Sequence, residues 1–502
     1  MGLELLAGRL VTPTFGNSIY VWGSIIGVFL TALSLGYWAG GRTAHRAGPS
    51  TLVSILATAA VLAGVVVVAG ESVVQASAAL PVPSRYAAVP AIVALFGPLT
   101  FLVGFVSPYG AELSAADGRG AASGRVYALG TVGSIVGSFG TTFVLIPAFD
   151  VAVIAAFYGG ILVTAAAVVA DPSPRAAAKI VLAATVVLSA SVVGVYGVSV
   201  GEDTIYSDQT AYSELRVGQD DGVRTLYLDG VRHSAMYADG RDGYVFEYSK
   251  YAHIPVLYDE DVEDVLFVGG GGFSGPKRFA REYDVDVDVV EIDPGVVSAA
   301  RQYFNVSEGP NFDIHVMDGR RFLESTNETY DLVVLDAYQR SSVPFHLTTV
   351  EFMSLVNDRL DEDGSVVANV ISARSGDGSR FFRAQYKTMQ RAFPHVYAFP
   401  TSQTDALQNI EVVATKGEAL SESELERLAR ERDVGIDLTG AVQSFTPASE
   451  IKTSDVPVLT DDHAPVDALL QGQVGKEYVV VENETNGTQA VAAPPATASI
   501  AV

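Results

Sequence analysis

Six stretches without a single charged side chain, each about twenty residues long, fill most of the first 200 positions: 18–40, 50–70, 86–110, 126–149, 151–170 and 180–200. A helix of ~20 apolar residues crosses the hydrocarbon core of a bilayer. In lipid it is also the simplest form that satisfies every backbone N–H and C=O internally. A cleaved signal peptide accounts for one such run but not for five more. Residues 1–200 therefore read as a polytopic α-helical membrane domain of about six transmembrane helices, with the lipid bilayer as a partner.

Charge divides the chain at the same place. Residues 1–200 hold 6 acidic and 8 basic side chains, which leaves 51 acidic and 24 basic for the rest. A surface so rich in Asp and Glu, with only 7 Lys in the whole chain, suits a halophilic, high-salt cytoplasm, because 1 M salt screens charge over about 3 Å. A net charge of −25 argues against nucleic acid as a partner. The chain has no Cys, so disulfides and thiol nucleophiles are excluded, and its 7 His form no metal-ligand spacing. No metal is expected.

After a short linker at 201–204, the sequence alternates between strand and helix patterns. A small β-ribbon module runs to about Tyr258. Strands are then expected near 263–270, 285–292, 312–317, 330–336, 364–371 and 408–415, with helices near 275–283, 294–304, 319–325, 348–360 and 378–392. Such alternation builds a doubly wound, mainly parallel sheet. The last residues, rich in Ala, Pro, Thr and Val, show no periodicity and are expected to be disordered.

Four strand ends in this half carry chemistry: VLFVGGGGFSG (265–275), VVEIDP (289–294), VMDGRRF (316–322) and LVVLDAY (332–338). The glycines at Gly269, Gly271 and Gly272 let the backbone pass close to a ligand where a Cβ would intrude. Glu291, 20 residues after Gly271, ends the next strand, where a carboxylate can accept both ribose hydroxyls. That spacing suits a dinucleotide enzyme equally well. Asp318 before Gly319 can accept from an adenine amino group or cap the helix that follows. Asp336 ends the fourth strand facing the same crevice. His253 reads as a structural histidine.

From about 204 to 415 the chain resembles the spermidine synthase (polyamine aminopropyltransferase) family. The resemblance rests on YSDQTAY (206–212), LYLDGVRHS (226–234), YAHIPVL (251–257), the four strand ends and FHLTTVEFMSLVNDRLDEDG (345–364). Residues 8–42 are similar to the start of membrane-fused members, and LTDDHAPVDALL (459–470) to a segment that follows their catalytic domain. With the apolar runs giving a membrane domain over 1–200 and composition a disordered tail over 471–502, the resemblance implies a small β-domain over 201–258 and a Rossmann-like, methyltransferase-type catalytic domain over 259–470. The stretch 1–10 looks like the remnant of one more span.

The same resemblance implies that Gln209, Glu291, Asp318 and Gly319 hold the nucleoside and that Asp336 is the catalytic base. It implies decarboxylated S-adenosylmethionine, or S-adenosylmethionine itself, as co-substrate, with no permanently bound cofactor. A small-molecule amine would attack the methylene beside the sulfonium and release methylthioadenosine. The pattern also departs from the family. Gly272 stands where GGGDGG has its Asp, Gln339 and Arg340 close the Asp-Ser-x-Asp-Pro segment, and Glu247, Tyr248 and Ser249 replace Tyr-His-Glu. Tyr248 and Gln339 are thus left as the amine-side candidates, and weak activity with putrescine is expected. A transferase using S-adenosylmethionine and a polyamine- or nucleoside-binding transporter or sensor stay open as alternatives, as does a homo-oligomer.

Arg42, Arg46, Arg119, Arg125, Arg175 and Lys179 fall in alternate loops, which by the positive-inside rule puts the catalytic half outside the cell. A donor made and kept in the cytoplasm puts it inside. The expectation adopted is a multi-pass cell-membrane protein with a cytoplasmic catalytic domain.

Overall fold

The computed structural model describes residues 1–46, 48–115, 118–196, 203–338, 343–474, 476–484 and 487–493. The chain divides into two compact units, Met1–Gly201 and Glu202–Val502.

The first unit is all helix. Among its described residues six helical stretches are long and apolar enough to cross a bilayer: Ile19–Arg46, Pro49–Ala78, Ser84–Leu113, Gly120–Ala148, Val151–Val169 and Pro174–Val192. Their starts follow helix-entry chemistry. The Ser18 hydroxyl accepts from the Val21 N–H, and Pro49 sits in the first turn of its helix, where a missing N–H costs nothing. A Cβ on Gly36 would lie 2.2 Å from the Phe101 carbonyl oxygen, and one on Gly104 2.8 Å from the Gly36 Cα. Those two glycines let the helices Ile19–Thr43 and Ala88–Gly104 approach backbone to backbone. Large apolar side chains, among them Leu129, Phe139, Phe143 and Val168, point away from the protein.

The second unit opens with a four-stranded antiparallel meander: β1 (Asp203–Gln209), β2 (Glu214–Asp220), β3 (Val223–Leu228) and β4 (Val231–Tyr237). Asp221–Gly222 and Asp229–Gly230 turn its last two hairpins, all four residues at positive φ. That backbone matches the right-handed strand twist, and Asp-Gly reaches it at low cost. The ribbon does not run on to Tyr258 as expected. From Glu247 the chain coils into two 3₁₀ segments, Glu247–His253 and Pro255–Leu257. Tyr251, Ile254 and Leu257 are buried there with Val265, Phe267 and Val413, so this stretch covers the main sheet instead of extending the ribbon.

Seven strands form that sheet: β5 (Asp264–Val268), β6 (Asp286–Glu291), β7 (Phe312–Val316), β8 (Tyr330–Leu335), β9 (Leu360–Ser372), β10 (His395–Pro400) and β11 (Gln408–Thr415), in the order β10-β11-β9-β8-β5-β6-β7. Five of them, β5 to β9, run parallel, and β11 is antiparallel to both its neighbours. The crossover helices are Ser274–Glu282, Pro294–Tyr303, Gly319–Ser325, Val350–Arg359 and Arg380–Ala392. The chain winds outward from β5 through β6 to β7, then returns to place β8 on the other side of β5. Strand order reverses there, so a crevice opens at the carboxyl ends of β5 and β8.

The expected disordered tail from 471 is corrected by the structure. Gln471–Gln473 is a 3₁₀ turn, and β12 (Tyr478–Glu484) pairs with β13 (Gly487–Ala493). Alternate residues of β12 point inward: Tyr478 and Val480 are buried against Phe246, Leu407 and Ala373. Leu407 bonds β12 on both sides, its N–H donating to the Glu477 carbonyl and its carbonyl accepting from Val479. Arg232 adds an ion pair to Glu482 at 2.5 Å. Residues 494–502 lie outside the described residues.

Candidate active site

The turn after β5 is laced to both neighbouring strands. Gly269 N–H donates to the Val290 carbonyl on β6, and Asp336 N–H donates to the Val268 carbonyl on β5. Gly269 has φ +102°, and a Cβ there would lie 2.5 Å from the Asp336 carbonyl oxygen. Glycine is thus required twice over at this position.

Glu291 ends β6 almost wholly buried. One carboxylate oxygen accepts from the N–H of Gly270 (2.9 Å) and of Gly271 (3.4 Å), and the other from Asp293 N–H (2.9 Å). Burial pushes this carboxyl up, and the three backbone donors work against that. Glu291 therefore holds the glycine turn in shape as well as ending the strand. Gln209, the last residue of β1, is brought to the same side. Its neighbour Thr210 donates to Asp293 at 2.6 Å, and Asp293 caps the helix that begins at Pro294. The buried Nε2 of Gln209 has no hydrogen-bond partner, a donor whose desolvation only a ligand acceptor would offset.

Asp318 is the N-cap of helix Gly319–Ser325, accepting from Arg321 N–H at 3.0 Å, while its second oxygen contacts His346 Nε2 at 2.8 Å. Burial raises its carboxyl, but those two partners outweigh it and the net displacement is downward. Gly319 packs on β5, where a Cβ would meet Val268 Cγ1 at 2.4 Å. The neighbouring Arg320 forms a fork with both oxygens of Asp461 (2.8 and 2.6 Å), ties the 459–470 segment to this helix, and holds Asp461 down at about 2.

Asp336 opens on the crevice, yet protein surrounds the crevice floor so closely that desolvation dominates. The carboxyl is pushed up to about 6 by that crowding; the Asn369 amide, donating at 2.7 Å, pulls it down and Glu291 adds a further upward push. Behind it on β11, Glu411 is buried directly opposite Asn369. Burial, then the charge of Asp336, raises Glu411 well above the usual carboxylate range, and its Oε1 has no hydrogen-bond partner. Tyr248 lies within electrostatic reach of both carboxyls, and its hydroxyl donates to the His233 carbonyl at 3.1 Å.

Gly272 is explained by crowding. A Cβ there would meet the Ser234 hydroxyl of β4 at 2.6 Å and the Phe304 ring at 3.1 Å, so a side chain at this position would require both neighbours to shift. Gln339 and Arg340 lie outside the described residues. His253 is a core residue: it sits between the hydroxyls of Tyr244 (2.7 Å) and Tyr283 (2.8 Å) and stacks on Phe279, and burial first, then Arg278, lowers it to about 3.

The structure therefore gathers Gly269, Gly271, Gly272, Glu291, Asp318, Gly319 and Asp336 at one sheet edge, with Gln209 and Tyr248 supplied by the elements covering it. Sequence reading missed Ser234, His346, Asn369, Asn409 and Glu411. A signal existed for the last three, since each is a polar residue inside an otherwise apolar strand pattern, VVANVIS or NIEVVA.

Comparison with known proteins points the same way as the site. The family model described as the spermine/spermidine synthase domain matches residues 245–401. Residues 245–401 are thus similar to a spermine/spermidine synthase domain. The match covers 157 of the 502 residues, and the curated relatives support a transferase of the polyamine aminopropyltransferase type. It is 28% identical over 215 residues to the polyamine aminopropyltransferase of Vibrio vulnificus, covering 41% of this chain and 70% of that one. It is 26% identical over 282 residues to the probable polyamine aminopropyl transferase of Bifidobacterium longum, covering 53% and 61%. Among solved structures it is similar to a probable spermidine synthase from Corynebacterium glutamicum, with 22% identity, a TM-score of 0.44, and coverage of 52% of this chain and 96% of that one.

Proposed function

We propose that the protein is a membrane-anchored aminopropyltransferase that moves the aminopropyl group of decarboxylated S-adenosylmethionine to an amine, with Asp336 as general base. The observation that carries this reading is the placement of a carboxyl raised to about 6 at the switch point of the sheet, facing a glycine turn held by Glu291. The adenosyl ribose would be accepted by Glu291, adenine by the Asp318 edge, and the orphan Nε2 of Gln209 would donate to the ligand.

The step balances without a metal. An alkylammonium with a pKa near ~10.4 must lose a proton before its nitrogen can attack. Asp336 takes that proton, the nitrogen lone pair forms the new N–C bond, and the C–S pair leaves with sulfur as neutral methylthioadenosine. A carboxyl near 6 is ionised at neutral pH, yet basic enough to share the proton in the transition state. Holding amine and sulfonium in line removes much of the entropic barrier.

A second reading, transfer from S-adenosylmethionine itself, is favoured by one observation: Gly272 presents no carboxylate that would repel the donor's own. Mass analysis of products from each donor with putrescine, agmatine and longer amines separates the two. Aminopropylated amine and methylthioadenosine from the decarboxylated donor support the first reading; a methylated product and S-adenosylhomocysteine support the second. Anchoring is supported by the six apolar helices and by the aromatic and aliphatic side chains they turn outward. We place the catalytic half on the cytoplasmic side, where the donor is.

A further inference from the structure

The hairpin β12–β13 lies outside residues 245–401, and nothing in the reaction as described uses it. Three hydrogen bonds nevertheless run from it to the reacting carboxyl. The Tyr478 hydroxyl donates to Asn409 Oδ1 at 2.8 Å. Asn409 Nδ2 donates to Asn369 Oδ1 at 2.8 Å, and Asn369 Nδ2 donates to Asp336 Oδ1 at 2.7 Å. Tyr478, Asn409 and Asn369 are 5%, 2% and 5% exposed, so water does not substitute for the two links among them.

We propose that Tyr478 is a positioning residue for Asp336, which makes β12 a working part of the active site.

An ionised carboxylate only accepts, so Asn369 must turn its NH₂ toward Asp336 and its oxygen toward Asn409. Asn409 must then present its NH₂ to Asn369, which leaves its own oxygen needing a donor in a dry interior. The Tyr478 hydroxyl is the donor that reaches it. Removing that hydroxyl strands a buried acceptor and loosens the amide chain that ends on Asp336. The hydrogen bond that stabilises the ionised carboxylate would weaken. The other ionisable groups facing Asp336 are Glu291 on β6, Glu411 on β11 and Tyr248 on the 3₁₀ segment. Of these, Tyr248 also feels the Tyr478 hydroxyl, while the ring at position 478 keeps its packing against Phe246 and Leu407 as phenylalanine.

The inference rests on Asp336 as the base. Its test uses the full chain, with Tyr478→Phe, Asn409→Ala and the double variant, assayed for turnover across pH and for calorimetric affinity toward methylthioadenosine. Tyr478→Phe should lower kcat about fivefold and move the acidic limb of the pH–rate profile up by roughly half a unit, the size of a weakened hydrogen bond to a charged group. Nucleoside affinity should stay within about twofold. The double variant should be no worse than the poorer single one, because both break the same chain. If Asn409→Ala loses its thermal transition, the acidic limb of Tyr478→Phe decides alone. A parent that turns over while Tyr478→Phe matches it at every pH, or single effects that multiply in the double variant, overturns the role of Tyr478 alone. A parent that transfers to no amine overturns the reading of Asp336 and this inference with it.

Discussion

Glu291 serves two masters at once, and that sets what its removal should do. Its Oε2 receives two glycine N–H groups and its Oε1 a third backbone donor, so the carboxylate is a strut before it is a ligand contact. Glu291→Gln keeps the shape but sets an NH₂ against at least one of those donors. Methylthioadenosine binding should weaken by about 1.5–3 kcal/mol, the usual worth of a hydrogen bond to a charged group. Calorimetry giving equal affinity would remove Glu291 from the ribose role. Gly269 offers a test on stability instead of binding. At φ +102°, and with 2.5 Å from a would-be Cβ to the Asp336 carbonyl, Gly269→Ala should cost about 2 kcal/mol or more. Denaturant unfolding of the variant at parental stability would mean that the turn relaxes freely. The glycines, Glu291, Asp318 and Asp336 were readable because strand ends carry a positional code in doubly wound sheets. Gly272 was readable as a departure, but its cause, the Ser234 hydroxyl 38 residues earlier in the chain, exists only once the small sheet is folded over the turn.

At the scale of elements, the pairing of β8, β9 and β11 sets the pH behaviour of the site. It lays Asp336, Asn369 and Glu411 side by side, and burial and the Asp336 charge both raise Glu411 well above the usual carboxylate range. The working base is the ionised form of a carboxyl lifted to about 6. Turnover under subsaturating donor should therefore rise with pH through about 6 and fall as pH drops below it. A profile flat from pH 5 to 8 would contradict the assignment. The β5–β9 strands were legible from apolar runs bounded by Gly, Asp and Pro, and each was placed to within a few residues. His395–Pro400 was not, since six residues with one Pro and one His resemble a loop until β11 pairs with them. The β12 strand was hidden in the same way. Its alternation spans only Tyr478 to Glu482, and the composition of the neighbouring residues masks it; burial of Tyr478 and Val480 beside Phe246 is a tertiary fact.

For the whole molecule, the division at Gly201 separates a unit whose outward face is apolar from one that carries most of the acidic charge. Residues 203–502 expressed without the helices should fold as a soluble domain at high salt, where screening relieves the repulsion among the carboxylates. Aggregation at every salt concentration would count against an independent domain. Protease protection on sealed vesicles should show this half on the cytoplasmic side. The measurement that bears most directly on the central claim follows methylthioadenosine release from decarboxylated S-adenosylmethionine, by parent and by Asp336→Asn, across a panel of amines. The account predicts that the parent releases methylthioadenosine together with aminopropylated amine, weakly with putrescine. Asp336→Asn should bind methylthioadenosine as the parent does and turn over about a hundredfold slower or worse, the range for a lost general base. Equal turnover by the two proteins, or loss of nucleoside binding in a stably folded Asp336→Asn, would contradict it.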